Sequence, residues 1–478
     1  MTHITLLHTN DLHGRLGQLT RIAALVREIK KNAAAEGAYC VYMDGGDSED
    51  TTLLESSLTK GSVMGTILRA AGCDVMTLGN SIPVRYGTGV LKAEAENFGK
   101  SILCANLFNG DGSSIAGLEP YRMLHFGKLK IAVIGLTAPY SAYTGVFGLS
   151  MLQPVDAMPP LVQKVRCEGA QLVFSLNHIG SNEDVKLAEA VDGIDVIIGA
   201  HDHKAIIQPM LVKGCLIAQA GEHGKFLGRL DLEVDETTGH ILSAEGELIP
   251  ITADMPEDQA TIVAIAAEKK RAEAMMAHVV GRVEVPLDLA FDRECAAGNI
   301  LADALLTRFA DAQFSFVLAG QWNNGLPAGD ISAGMLFSAN RSSANPARVE
   351  LTGEQVLTFL KAAMMHENAD KELHALRGGK VGWPHVSGLE VVWDGKNVDS
   401  LRAFHKGKSL QADHKYVVAS TDMEFSEFIG YLVIPDEQTT YEVPTIMPEV
   451  LQDYLSANTP LRAIQDGRIR TELEITGS

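Results

Sequence analysis

The first half of the chain alternates short apolar runs with amphipathic ones. Ile4 to His8 reads as a strand. Leu19, Ile22, Val26 and Ile29 recur at helical spacing, and Lys30 and Lys31 suit the end of that helix. Tyr39 to Met43 is a second apolar strand and runs into Asp44-Gly45-Gly46-Asp47. Ile131 to Leu136, Leu172 to Leu176 and Ile194 to Ile198 are further strands of the buried type, each ending in a polar or glycine-containing loop. Strands separated by helices predict an α/β layer structure, in which ligand groups gather on loops at the strand ends. Phe226 to Val234 alternates apolar and polar residues and is expected to close this domain. Pro250 to Pro256 reads as a linker. Asp254 is the expected cap of a helix with Pro256 in its first turn, running to about His278.

The second half has a different pattern. Gly298-Asn299-Ile300-Leu301-Ala302-Asp303-Ala304-Leu305-Leu306 reads as a capped helix start. Leu351-Thr352-Gly353-Glu354-Gln355-Val356 enters another helix that continues through Leu357 and Leu360. Leu389 to Trp393 and Tyr416 to Ala419 read as strands, so this half is expected to be a separate α+β unit. The 478 residues exceed what one core normally serves, which also argues for two domains.

The formal net charge of −20 changes the list of partners. A surface that negative repels nucleic acid polymers and anionic membranes. A small anionic substrate would need a local positive site, which bound metal ions supply. The six cysteines form no Cys-Xaa-Xaa-Cys pair and are expected to be reduced thiols. Met1-Thr2-His3-Ile4 has no basic leader region and no apolar signal core, and no run approaches about 20 apolar residues. The expectation is a protein without a membrane span, cytoplasmic, or periplasmic if a signal peptide has been removed.

The chemistry is concentrated just after the apolar strands. Asp11 and His13 follow the first strand, and Asp47 follows the second through Gly45-Gly46. Asn80 follows Thr77-Leu78-Gly79, His178 follows Leu172 to Leu176, and His201 and His203 follow Ile194 to Ile198. Two carboxylates, one amide oxygen and four imidazoles from five strand ends form a mixed N/O donor set. Such a set suits Mn²⁺, Fe, Co²⁺, Ni²⁺ or Zn²⁺ better than Ca²⁺. Two ions about 3.5–4 Å apart would clamp a phosphate and acidify a bridging water, whose hydroxide attacks phosphorus.

Asp11-Xaa-His13, Gly46-Asp47, Gly79-Asn80, Asn177-His178 and Gly199-Xaa-His201-Xaa-His203 resemble the five motifs of the calcineurin-like metallophosphoesterases. More narrowly, the chain is similar to the bacterial 5′-nucleotidase and 2′,3′-cyclic-nucleotide phosphodiesterase family. His8-Thr9-Asn10-Asp11-Leu12-His13-Gly14, Lys225-Phe226-Leu227-Gly228-Arg229, Gly298-Asn299-Ile300-Leu301-Ala302-Asp303-Ala304 and Ala328-Gly329-Asp330-Ile331 carry that likeness. The resemblance implies a four-layer α/β/β/α metallophosphoesterase domain over residues 1–253. A linker helix over 254–278 and a C-terminal α+β substrate-binding domain over 279–478, which closes over the metals, complete the expected organisation. It also implies two divalent ions, one held by Asp11, His13, Asp47 and His203, the other by Asp47, Asn80, His178 and His201.

The chain departs from the family at substrate-facing positions. The third motif normally reads Gly-Asn-His-Glu-Phe-Asp and here reads Gly79-Asn80-Ser81-Ile82-Pro83-Val84. Ser81 stands where the family carries the histidine that stabilises the transition state, and Val84 where it carries that histidine's carboxylate. A missing general acid typically costs about 10²–10⁴-fold. Arg85 is a candidate to replace the lost positive charge. In the C-terminal half, Asn323 sits where a phosphate-binding arginine is expected, and the base-stacking aromatics fall near Ser342 and Met423. Trp322 and Phe425 are candidates to stack a base from another angle, and Arg341 is the remaining basic candidate.

The expected function is a dinuclear metal-dependent phosphoester hydrolase, 5′-nucleotidase-like, acting on a nucleotide or other small phosphorylated metabolite. The alternatives are a catalytically impaired metal-containing binding protein, or a phosphodiesterase or other esterase, such as an S–O or P–S hydrolase, with altered substrate.

Overall fold

A computed structural model of the chain describes residues 1–50, 53–373, 379–435, 438–462 and 467–472. It divides into two units, Met1–Ala272 and Glu273–Ser478. In the N-terminal unit the apolar runs become strands. These are β1 (Thr2–Thr9), β2 (Tyr39–Asp44), β3 (Val75–Met76), β4 (Tyr121–Phe126), β5 (Leu129–Thr137), β6 (Leu172–His178), β7 (Val196–Ile198), β8 (Met210–Val212), β9 (Cys215–Ala218), β10 (Phe226–Val234) and β11 (Ile241–Pro250). One sheet has the order β11-β10-β1-β2-β3 and the other β8-β9-β7-β6-β5-β4.

Alternation along the strands decides the layering. Ile4, Leu6, Val41 and Met43 from the first sheet pack with Ile131, Val133, Leu172 and Phe174 from the second, forming a core between the sheets. The opposite face of the first sheet, through Leu7 and Tyr42, covers Leu19, Ile22 and Val26 of the helix Leu16–Ala35. The opposite face of the second, through Ile134 and Val173, covers Met158, Val165 and Leu187 of helices Pro154–Cys167 and Ser181–Ala190. The result is the expected four-layer α/β/β/α arrangement.

The parallel registers set the position of the site. Thr9 pairs with Asp44 between β1 and β2, and Thr137 pairs with His178 between β5 and β6. Strand C-termini therefore stand in a row in each sheet, and the loops leaving them are neighbours.

Four details differ from the sequence reading. Helix Leu16–Ala35 does not end at Lys30 and Lys31; Lys30 instead bonds Asp74 at 2.6 Å and the Gly72 carbonyl. Strand β6 runs through Asn177-His178, so His178 is the last residue of the strand rather than part of the loop. The domain closes one strand later than expected, because β11 pairs antiparallel with β10 as an edge whose residues are mostly exposed and so lack a clear apolar rhythm. The linking helix is Gln259–Ala277, capped by Asp258, whose carboxylate accepts from the Thr261 amide at 2.8 Å, and not by Asp254, which is exposed.

The C-terminal unit is built on a five-stranded sheet in the order Pro384–Ser387, Phe314–Leu318, Lys415–Thr421, Pro346–Thr352, Thr439–Tyr441. A second sheet orders Lys408–Ser409, Arg402–His405, Glu390–Trp393 and Ile469–Thr471. Helix Ala296–Arg308 lies against the strand Pro384–Ser387 so closely that a Cβ on Gly298 would come within 2.2 Å of the His385 ring. Helix Gly353–Ala363 opens with a capping box: the Thr352 hydroxyl accepts from the Gln355 amide at 3.2 Å, and the Gln355 side chain accepts from the Thr352 amide at 2.8 Å.

Candidate metal centre

The loops that carry the candidate ligands are wound in an unusual way. Among the described residues, nine non-glycine residues have positive φ, and five of them are Asp11, His13, Asp47, His201 and His203. Each such residue costs about 1–2 kcal/mol against the ordinary right-handed conformation. That cost is borne because the surrounding turns are over-determined. Asp44 accepts from Thr9 Oγ1, Ser48 Oγ and the Gly46 amide, which fixes the Gly45-Gly46 turn. Asn10 donates to the Gly221 carbonyl and accepts from the Ala220 amide, tying the first loop to the last. Asp202 accepts from Ser181 and Gln219 and holds the His201-Asp202-His203 loop. At Gly79 a Cβ would lie 2.0 Å from Asp47 Oδ1, so only glycine lets the third loop close on the second.

The side chains converge in two triads. Asp11, His13 and His203 form one, and Asp11, Asp47 and His178 form the other. His203 Nε2 lies 3.3 Å from both Asp11 Oδ1 and His13 Nε2, and His178 Nε2 lies 3.9 Å from Asp11 Oδ1 and 3.2 Å from Asp47 Oδ2. Asn80 occupies the N-cap of helix Ser81–Tyr86, yet its side chain does not cap; its Oδ1 stands 3.0 Å from His178 Nε2. His201 is beside the second triad, with its ring centroid 5.1 Å from that of His178 and its amide bonded to Asp11 Oδ2 at 2.9 Å. The resemblance gives Asp47 to both ligand sets; here the atom common to both triads belongs to Asp11.

The donor set fits a divalent cation. Asp11 Oδ2 is taken by the His201 amide and the Asn10 side chain, whereas Asp11 Oδ1 is buried and makes no hydrogen bond. A buried carboxylate oxygen without a partner is costly, and here it faces imidazole nitrogens from both triads. Those nitrogens are oriented from behind. His178 Nδ1 bonds the Gly45 carbonyl at 2.7 Å and His203 Nδ1 bonds Glu222 Oε2 at 2.8 Å, which leaves each Nε2 pointing inward. Two imidazoles facing one carboxylate oxygen, each held by its far nitrogen, are arranged for coordination rather than for hydrogen bonding among themselves.

The electrostatics follow from burial and proximity. Burial alone would raise the Asp47 carboxyl and lower the His178 imidazole; facing each other, the two override it. The Asp47 pKa falls well below the carboxylate range and that of His178 is pushed up to about 10. Behind Asp47, Glu49 and Glu94 line a small cavity with Gly46 and Gly79. Burial pushes the Glu49 carboxyl up to about 8, with Asp47 adding to it, and burial raises Glu94 as well, with Glu49 adding to it.

The remaining candidates fall elsewhere. The Ser81 amide donates to Asp47 Oδ1 at 2.9 Å and its hydroxyl bonds the same carboxylate, so Ser81 supports Asp47. Val84 and Arg85 are exposed on the short helix that follows. In the C-terminal unit, Trp322 and Phe425 are 1% and 2% exposed and belong to the domain cores, with Met423 packed against both. Asn323 and Arg341 are exposed neighbours, the Asn323 Oδ1 accepting from the Arg341 amide at 3.0 Å. The place where stacking aromatics are expected is filled by a buried polar network in which Gln321 bonds Thr421, Glu424 and Ser342.

Three residues at the metal centre escaped the sequence reading. Glu222 orients His203; His223 packs its ring 5.8 Å from that of His13; and the Tyr140 hydroxyl lies 3.2 Å from His201 Nε2. Tyr140 follows β5 at the same sheet edge as the other loops, a position the strand-end logic covers. Glu222 and His223 follow β9 in the same way.

Residues 279–434 match the family model described as the 5′-nucleotidase C-terminal domain. An uncharacterized metallophosphoesterase, YunD, of Bacillus subtilis (strain 168) is 26% identical over 95% of this chain and 98% of its own length. The 5′-nucleotidase of Bos taurus is 24% identical over 98% of this chain and 90% of its own. The crystal structure of a 5′-nucleotidase precursor from Thermus thermophilus superposes with a TM-score of 0.53 at 22% identity, covering 98% of this chain and 99% of that one.

Proposed function

We propose that this chain, a two-domain relative of the 5′-nucleotidases whose second unit matches their C-terminal domain, is a dinuclear metal-dependent phosphoester hydrolase. Its substrate is a small phosphorylated metabolite. The observation that carries this reading is Asp11 Oδ1: buried, unbonded, and shared by both triads of donors. Asp11, His13 and His203 would hold one divalent ion, and Asp11, Asp47 and His178, with Asn80 and His201 beside them, the other. When bound, two such ions supply the charge that polarises a phosphoryl group and lowers the pKa of water.

The chain's own residues do the rest. Asn10 and the His201 amide hold Asp11, Gly45 and Glu222 aim the imidazoles, and the Ser81 amide fixes Asp47. The C-terminal unit supports a substrate other than an ordinary nucleoside monophosphate. Trp322 and Phe425 are core residues, and Asn323 stands where the resemblance expects an arginine, so the usual base-stacking and phosphate-binding groups do not favour a nucleoside monophosphate.

The test is turnover by the full chain with Mn²⁺ against phosphomonoesters and cyclic nucleotides. Turnover that chelation removes and metal restores is the expected result. With metal content verified, no hydrolysis of any of them would overturn the reading. A second reading, a metal-containing binding protein without turnover, is favoured by Ser81 and Val84 in the third motif. Ligand-induced thermal shift without hydrolysis would select it, and hydrolysis that disappears in Asp47→Asn would exclude it.

A further inference from the structure

The chain has the expected donor set but serine at the position where the resemblance implies a transition-state-stabilising histidine. If phosphoester hydrolysis occurs here, some other group has to meet the charge that builds on the phosphoryl oxygens. Ser81 already uses its amide and its hydroxyl on Asp47, and Arg85 is exposed in the last turn of the helix Ser81–Tyr86.

Tyr140 brings a neutral hydrogen-bond donor to the metal centre. Strand β5 ends at Thr137, in register with His178, and the chain then delivers Tyr140 on the same edge as the ligand loops. Tyr140 heads the helix Ser141–Gly145, which packs against the helix Ser81–Tyr86 that carries the substituted position. Its hydroxyl is 3.2 Å from His201 Nε2, so His201 has Nδ1 left for a cation. Its ring stands edge-on to the fully buried Tyr143, centroids 5.9 Å apart at 82°, which fixes its direction. At 37% exposure the ring is anchored on one side and open on the other. A phenol, with a reference pKa of about 10, keeps its proton at neutral pH and donates as well as accepts.

We propose that the Tyr140 hydroxyl donates a hydrogen bond to a non-bridging oxygen of the substrate phosphoryl group, most strongly as negative charge develops there in the transition state. Tyr140 is thus a catalytic residue of this chain, taking the part left vacant at Ser81. The proton stays on the phenol, and no bond to Tyr140 forms. The inference rests on the hydrolase reading above.

Tyr140→Phe in the metal-loaded full chain tests it. Losing one preorganised donor of this kind costs about 10²–10³ in kcat. The expected result is a fall in kcat of about 10²-fold with KM changed less than about threefold, at unaltered metal content and unaltered melting temperature. Binding is the second readout. Orthovanadate, which mimics the five-coordinate transition state, should bind the variant at least about tenfold more weakly, and inorganic phosphate less than about threefold more weakly. Wild-type kcat in the variant, equal weakening of vanadate and phosphate, or loss of metal together with activity would each overturn the proposal, the last by making Tyr140 a support for His201. If the wild-type chain hydrolyses no phosphoester, the hydrolase reading falls by itself, and the vanadate-to-phosphate ratio still decides the case of Tyr140.

Discussion

The two oxygens of Asp11 have different work. Oδ2 is held by the backbone of His201 and the side chain of Asn10, and Oδ1 faces the imidazoles. Asp11→Asn keeps the shape and removes the charge at the one atom both triads share. It should lower bound metal and cut turnover by more than the roughly 10–100-fold typical of a supporting residue, read by metal analysis and initial rates. Glu222→Gln, by weakening the grip on His203 Nδ1, should fall within that range of about 10–100-fold in metal affinity, measured by chelator competition. His178 gives a pH prediction. Burial would lower its pKa, but Asp47 opposite pushes it up to about 10, so the metal-free imidazole is protonated at neutral pH. A ligand nitrogen has to be free of its proton. Metal binding should therefore release a proton, and apparent affinity should climb with pH until about 10. Titration calorimetry in buffers of different ionisation enthalpy measures that release, and a proton count of zero would contradict the pairing.

Elements place these residues, and here the sequence is informative for a physical reason. The apolar runs that form β1, β2, β6 and β7 are largely buried, so their ends stand out as abrupt changes to polar residues; six of the seven candidate ligands lie at or just past those changes, and the seventh, Asn80, follows the two-residue β3. Edge strands leave no such mark, which is why β11 has no counterpart in the apolar pattern, and a cap is local, which is why Asp254 reads as well as Asp258. Orienting contacts across the fold, such as Glu222 to His203 or Tyr140 to His201, join residues far apart in the chain that no spacing rule pairs. In the other unit, Trp322 and Phe425 are stacking candidates by position alone; burial is a property of the folded element that position does not carry. Two substitutions test the elements. Gly79→Ala would press a methyl group to within 2.0 Å of Asp47 Oδ1, and the expected outcome is loss of metal and activity with the fold retained, seen by metal analysis and circular dichroism. Thr352→Ala removes half of a capping box and should cost about 1 kcal/mol, read as a lower urea midpoint.

At the scale of the whole molecule, charge is the leading fact. On the proposed reading, a chain of net charge −20 that draws a phosphorylated substrate to a pair of cations would work against its own long-range field. Salt shortens the reach of that field, to about 10 Å at 0.1 M. Raising ionic strength from about 0.01 to about 0.2 M should therefore increase kcat/KM for an anionic phosphoester while leaving kcat nearly constant. A decrease in kcat/KM over that range would place a positive approach surface on the molecule that the net charge hides. The same negative field excludes polyanionic partners more strongly than small substrates, because repulsion grows with the number of phosphates presented.

The left-handed backbone at Asp11, His13, Asp47, His201 and His203 has a consequence in time. On the proposed reading, turns held by hydrogen bonds within the protein would stand ready for a cation, and its capture would call for little rearrangement of the loops. The slow event in loading is then the shedding of water by the ion, and ions compete by how readily they dehydrate as well as by how tightly they bind. Mg²⁺, which gives up its water reluctantly, is at a disadvantage from the first encounter.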